Sequence, residues 1–346
     1  MALFSRRSKD SPETPADEAA PDEAVDATPA APEVESEADA AADAAAAASV
    51  SISVSSYSGL GASAPAAKPT LQPRKTARAA TKVAPRATET VPGLKDNVLL
   101  REALARVADG TAPQALLDVA RQCLQGHLFL RIKGDARALL AEGKELPLAM
   151  VKVGDRSFAL AYSSGAALQA SVRGDGDADT SALGQPVLSV IKHVLAGPYE
   201  GLIIDQSSAP ARAVLPKDLL KKILEKVDEQ LTVKTLLAGE RTPETAAAVA
   251  QALTTAPLWV AVGKLDDGRP GIAEGRAEDG SRYLEVYSHP LEVAVMGRGD
   301  QAAPVTGAQL AAALGDAGLA GVLVDPAGPW IRLSRADLAP LFATAA

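Results

Sequence analysis

The feature that most limits how this chain can fold is a repeat within it. Gly201-Leu-Ile-Ile-Asp205 returns as Gly321-Val-Leu-Val-Asp325, and similar sequence flanks both copies. Repeats are sought first, because missing one misassigns the whole fold. Residues 113–132 lie over 243–262 at an offset of 130, pairing Val119 with Val249, Leu128 with Leu258 and Phe129 with Trp259. The offset falls to 125 where 158–163 meets 283–288, and to 119 where Asp218-Leu219 meets Asp337-Leu338. Such steps belong in loops, which tolerate insertions. Aromatic residues are only 3 % of the chain, so aromatic meeting aromatic at three positions argues against coincidence.

Each copy reads alike. Leu116, Val119, Ala120, Cys123 and Leu124 share one face of a 3.6-residue period, which predicts a first helix. Strands over 128–132 and 258–262 follow. Next comes a hairpin, 147–153 with 157–163 or 271–277 with 282–288. These turn at Gly154-Asp155 and Asp279-Gly280, residues suited to the positive φ of tight turns. A short helix (166–172; 291–296) precedes a longer one. In the first copy the longer one carries the stripe Val187, Val190, Ile191, Val194 and Leu195, with Pro186 at its first turn. The Gly-to-Asp strand, a short strand (211–215; 330–333) and a closing helix complete the unit. In the first copy that helix turns Leu219, Leu220, Ile223, Leu224 and Val227 inward and Lys217, Lys221, Lys222 and Lys226 outward. A helix over about 97–108 leads in.

The expected fold class is therefore α+β. Two tandem repeats are expected, each a mainly antiparallel mixed sheet of about five strands flanked by helices, after a long disordered tail. The boundaries fall at 1–93 for the tail, 94–228 for the first module with its leading helix, 229–240 for a connector and 241–346 for the second module.

The tail is rich in Ala, Pro, Glu, Asp, Ser and Thr and nearly lacks large apolar residues, so it cannot offset chain entropy by burial. Residues 1–50 carry 12 acidic and 3 basic side chains, and 51–95 carry 1 and 7. The basic stretch 68–95 has no interleaved aromatics for base stacking, and the remainder is close to neutral, so no nucleic-acid partner is expected. One island, Val50-Ser-Ile-Ser-Val-Ser-Ser-Tyr57, alternates with the period of a strand. It reads either as linker or as a segment that adds to a sheet edge, in this protein or a partner. No apolar region follows the basic start and no run reaches the ~20 apolar residues of a membrane helix, so a cytoplasmic protein without membrane insertion is expected.

Side chains capable of chemistry are few. The lone Cys123 aligns with Leu253 on an inward face, which suits a core residue better than a nucleophile. The three histidines, His127, His193 and His289, have no metal-ligand spacing. Asp175-Gly-Asp-Ala-Asp-Thr180 begins like a calcium loop. It then places Thr180 where the turn needs Gly and Pro186 where Glu is needed. Ser163 and Ser288 recur at a strand-to-helix corner without the Gly-x-Ser-x-Gly of a nucleophile elbow, which favours capping. Asp205 and Asp325 end the repeated strand, where ligands often bind but where a solvated turn Asp is commoner. No catalytic, cofactor or metal residue is assigned. The candidates for a binding surface are Ser163, Ser164, Asp205, Ser288 and Asp325.

Pro147-Leu-Ala-Met-Val151, the strand ending Tyr162-Ser163-Ser164 before a helix, and Gly201-Leu-Ile-Ile-Asp205 together resemble the SseB family, named for enhanced serine sensitivity. The resemblance is to its N-terminal domain in tandem, over roughly 111–343. The family tends to have Asn-Pro after the apolar strand; here the second copy has Asp325-Pro326 and the first Asp205-Gln206. The resemblance implies the fold and carries no settled activity. The expected function is a non-enzymatic interaction or regulatory protein whose tail reaches a protein partner. The alternatives are a small-molecule module for amino-acid metabolites and, last, a serine-dependent hydrolase.

Overall fold

The computed structural model describes residues 72–73 and 81–345, apart from 108–112, 145, 147, 178, 265–268 and 317. The expectations for 1–71 and 74–80, including the strand island at 50–57, lie outside the described residues, as does Pro147. Strand β1 (Gln72–Pro73) comes first. The N-terminal half then runs α1 (Val98–Ala105), α2 (Pro113–Cys123), β2 (His127–Lys133), α3 (Ala136–Ala141), β3 (Met150–Val153), β4 (Arg156–Ala161), α4 (Gly165–Asp175), β5 (Thr180–Pro186), α5 (Val187–Ala196), β6 (Gly201–Ile204), β7 (Ala213–Pro216) and α6 (Lys217–Leu224). The C-terminal half runs α7 (Thr232–Ala238), α8 (Thr245–Ala252), β8 (Leu258–Lys264), β9 (Pro270–Arg276), β10 (Arg282–Val286), α9 (Pro290–Ala294), β11 (Gln301–Val305), α10 (Gly307–Asp316), β12 (Gly321–Val324), β13 (Ile331–Ser334) and α11 (Ala339–Ala345).

The class is α+β, as expected. The C-terminal sheet has the order β11-β8-β9-β10-β12-β13. The N-terminal half has the matching order, split into β5-β2 and β3-β4-β6-β7. Single bridges at Phe129↔Tyr162 and Ile132↔Leu148 join its two parts. One pair in each half, β4 with β6 and β10 with β12, is parallel and the other pairs within each half are antiparallel. Strand β1 adds parallel to β9, with Gln72 opposite Ala273 and Pro73 opposite Glu274.

Each half has a sixth strand that the sequence did not announce, β5 in one and β11 in the other. Thr180-Ser-Ala-Leu-Gly-Gln-Pro186 is poor in β-branched and aromatic residues, so its local preference is weak. Its strand form comes from full-length pairing with β2 at the sheet edge. Helix α3 was likewise unannounced; Asp135 caps it by accepting from the Arg137 amide at 2.8 Å.

The repeated strand sits inside. All four residues of β6 are buried, between β4 on one side and β7 on the other. Its opening glycine has a steric reason. A Cβ at Gly201 would stand 2.4 Å from the Leu215 carbonyl oxygen, and one at Gly321 only 1.9 Å from that of Leu333. Helix α5 covers this layer with Val187, Leu188, Val190, Ile191 and Val194, all buried. Each such side chain contributes about 1.5–3 kcal/mol by leaving water. Leu291 and Val295 of the C-terminal half belong to the same apolar cluster, so the two halves share core.

The chain already packs on the fold ahead of α1. Asp96 accepts from Thr88 Oγ1 at 2.6 Å and from the Gly165 amide at 3.2 Å, and Thr90 Oγ1 accepts from the Ala166 amide at 2.9 Å. Among the described residues no helix is long and apolar enough to cross a membrane.

Gly321→Ala should destabilise the protein by about 3 kcal/mol, the upper part of the usual overpacking range, because backbone rather than a movable side chain meets the new methyl. Denaturant unfolding checks this; a loss under about 1 kcal/mol would show that β12 and β13 can separate freely.

Candidate functional site

The five candidate residues gather at two equivalent corners. In the N-terminal half the Ser163 amide donates to Asp205 Oδ1 at 2.8 Å, and the Ser163 hydroxyl donates to Oδ2. In the C-terminal half the Ser288 amide and hydroxyl donate to Asp325 at 2.8 and 2.6 Å. Both aspartates have left-handed backbone, φ 57° and 48°, which a short polar side chain tolerates. That turn swings each carboxylate back over the end of the neighbouring parallel strand. Ser164 instead caps α4, accepting from the Ala167 amide at 3.1 Å.

These residues are buried, not solvated as a turn Asp usually is. Ser163 is 0 % exposed, Asp205 4 %, Ser288 6 % and Asp325 2 %. Burial pushes the Asp205 and Asp325 carboxyls up to about 6, while the serine donors pull the other way. Chemically each corner is a clasp between strand ends, and its hydroxyl is already committed to the carboxylate.

His289 stands where the first half has Ser164, and it links the halves. Its Nδ1 accepts from the Leu291 amide at 3.1 Å, and Nε2 lies 3.0 Å from the Ile223 carbonyl oxygen at the end of α6. Nε2 must therefore carry the proton in a neutral ring. Burial lowers the imidazole to about 4, in accord with that form.

Beside it lies a group of buried charges that sequence reasoning missed. Arg121 on α2 binds Asp118 at 2.8 Å, Glu292 of α9 at 3.2 Å and the Gly328 carbonyl at 2.6 Å. Lys234 on α7 binds the other Glu292 oxygen. Gln122 donates to Gly328 O at 3.1 Å. Glu292 is 0 % exposed and Arg121 2 %. Burial alone would raise the Glu292 carboxyl, but Lys234 and Arg121 together hold it below the ordinary range. A signal for these residues lay in the comparison of copies. Asp118, Arg121 and Glu292 align with Ala248, Gln251 and Ala167, so the charges occur once in positions the repeat leaves neutral.

A third feature is a groove of about 820 Å³ in the N-terminal half. One wall is β3 with the adjoining Leu148 and Ala149; Lys133, Asp175 and Thr180 stand across from it. Arg131 in its lining is paired with Asp175 at 2.9 Å and donates to the Asp177 carbonyl at 2.8 Å. That pairing places the Asp175 loop in an ion pair rather than around a cation. Behind it Tyr162 Oη lies 2.7 Å from Ser171 Oγ. The C-terminal half builds a different group there, with Arg298 on Glu285 at 2.5 Å and on Tyr287 Oη at 2.6 Å.

Cys123 is fully buried and its thiol is pushed up to about 12 by desolvation, which suits a core residue. Among the described residues no group of His, Cys, Asp and Glu could hold a metal ion.

Compared with known families, residues 233–339 match the model described as the SseB protein N-terminal domain. The match starts within α7, which puts that helix with the C-terminal half. No curated protein and no solved structure matches the chain.

Glu292→Gln should destabilise the protein by about 3–5 kcal/mol, since it leaves two buried cations with one carboxylate between them. Replacing Arg121, Lys234 and Glu292 together by Met should restore most of that loss. Equal losses in both variants, read by urea unfolding, would deny the charges their joint role. A second outcome concerns pH. A folded carboxyl at about 6, above its unfolded value, favours the fold while protonated. Its contribution is therefore lost as pH rises from about 4 to about 6. Asp325 is raised into the same range, so Asp205→Asn, which cannot titrate, should remove part of the decline of stability over that window. An unchanged profile would show that Asp205 does not contribute to it.

Proposed function

Taking as premise that residues 233–339 are an SseB protein N-terminal domain, we propose that the chain is a non-enzymatic interaction protein made of two copies of that domain. The N-terminal half is then a diverged copy outside the reach of the family model. Matching strand order and the recurring Ser–Asp clasp support this reading. We place its work in the cytoplasm, and its partner is a protein segment taken in extended form.

The observation that carries the proposal is an asymmetry between the halves. In the C-terminal half β9 holds the chain's own Gln72–Pro73 along Ala273 and Glu274. The cross-strand register puts Glu274 opposite Leu284 and Met150 opposite Ala159, so Met150 is the counterpart of Glu274. Strand β3 nonetheless ends its sheet, with no strand beyond it among the described residues. Its edge faces the groove, and Met150 is 45 % exposed. An open edge beside a groove is the geometry of strand addition, in which backbone pairing supplies affinity and alternate side chains supply selectivity.

The hydrolase reading gains nothing here. Ser163 and Ser288 are buried and donate to carboxylates, and His289 has both ring nitrogens occupied. A metabolite in the groove is a second reading, favoured by a volume within the range of small-molecule sites.

Selection of displayed peptides on the full chain should enrich uncharged segments with β-branched residues at alternate positions. Lys152→Pro, which an edge strand tolerates but which removes an edge donor, should reduce their retention at least 10-fold without lowering the melting temperature appreciably. Retention unchanged by Lys152→Pro would overturn the proposal. Stabilisation of the full chain by free amino acids, lost on filling the groove by Ser171→Trp, would favour the metabolite instead.

A further inference from the structure

We infer that the open edge of β3 is occupied by this chain's own residues 50–57, which add to it as a parallel strand. The inference rests on the reading of β3 as a strand-addition site and names the occupant of that site.

Three observations converge on this segment. The counterpart edge on β9 already takes a piece of the same tail, Gln72–Pro73, in parallel orientation. The stretch 50–57 puts Val50, Ile52 and Val54 on one face of a strand and Ser51, Ser53 and Ser55 on the other, with no charge between them. The groove offers matching surfaces, with Leu148 and Met150 on one face of the sheet for the apolar side chains and Thr180, Gln206 and Ser207 for the hydroxyls.

Reach and charge also fit. Residues 58–71 separate the segment from β1, and fourteen extended residues span up to about 50 Å, more than the ~30 Å width of a small domain. The run before the segment carries 12 acidic against 3 basic side chains, while the β3 edge presents Lys152 with Lys133 across the groove. Of the two acidic lining residues Asp175 is paired with Arg131, and Lys133 and Lys152 against Asp177 leave the groove with a positive excess. Long-range attraction therefore brings the tail to this groove, and pairing with the β3 backbone fixes it there.

The test uses the full chain with paired cysteines. Val151→Cys, on the face of β3 opposite Met150, is combined in turn with Ser51→Cys, Ser53→Cys or Ser55→Cys, and with Ser63→Cys as a control. Buried Cys123 stays unreactive, and neighbouring strands hold Cα atoms at distances a disulfide can bridge. At least one of the three pairs should form a monomer-sized disulfide 10-fold or more faster than the Ser63 control. Adding Ile52→Asp and Val54→Asp should reduce that rate to the control level; both changes lie in the tail and leave the folded halves intact. Rates equal to the control, or a product of dimer size only, would overturn the inference. Selected peptides that still bind the β3 edge in that event would leave the strand-addition reading standing. Peptides indifferent to Lys152→Pro would sink that reading as well.

Discussion

The two halves are held as one body by Glu292. Its carboxylate is fully buried at their junction and accepts from Arg121 of the first half and from Lys234 on α7, the first helix of the second half. Charges so placed are affordable only as a set, because each removed alone leaves another uncompensated in a medium of low dielectric. The rest of the junction follows from this fixed point. Arg121 and Gln122 reach the Gly328 carbonyl, His289 reaches Ile223, and Leu291 and Val295 complete the apolar cluster of the first half.

The junction is head to tail: the first-helix side of one half meets the strand-to-helix corner of the other. Contacts of that kind can in principle repeat without end. Here they stop after one. At the positions of Asp118 and Arg121 the second half has Ala248 and Gln251, so its first helix offers no charges to another corner. The corner of the first half has Ala167 in place of Glu292 and is covered by the leader, whose Asp96 and Thr90 bind the amides of Gly165 and Ala166. Two halves with matching strand order are thus closed at both ends by residues that differ between them.

Much of the fold was legible because it depends on local periodicity and on comparison of the copies. The stripes of α2 and α5, the hairpin turn at Gly154 and the buried β6 and β12 follow from spacing that any core-facing element needs. Strands β5 and β11 were not legible, since their alanines, glycine and prolines take strand form only where a partner edge presents itself. At the site, the recurrence of the serines and aspartates was legible in the sequence, but their burial was not. Nothing local in Ser163 or Asp205 says that two parallel strands will bring them together from 42 positions apart.

The sequence by itself determined the α+β class, the residues at the two corners and the glycines that open the two central strands. These are matters of pattern, of chain propensity and of which side chains occur at all. Tertiary structure alone decided that the repeated serine and aspartate close on each other and that four scattered charges meet at one junction. It also decided that β9 carries β1 beyond it, whereas β3 has no strand beyond it among the described residues. Those outcomes depend on long-range register and on burial, which change the chemistry of a carboxylate or a backbone edge without changing a residue.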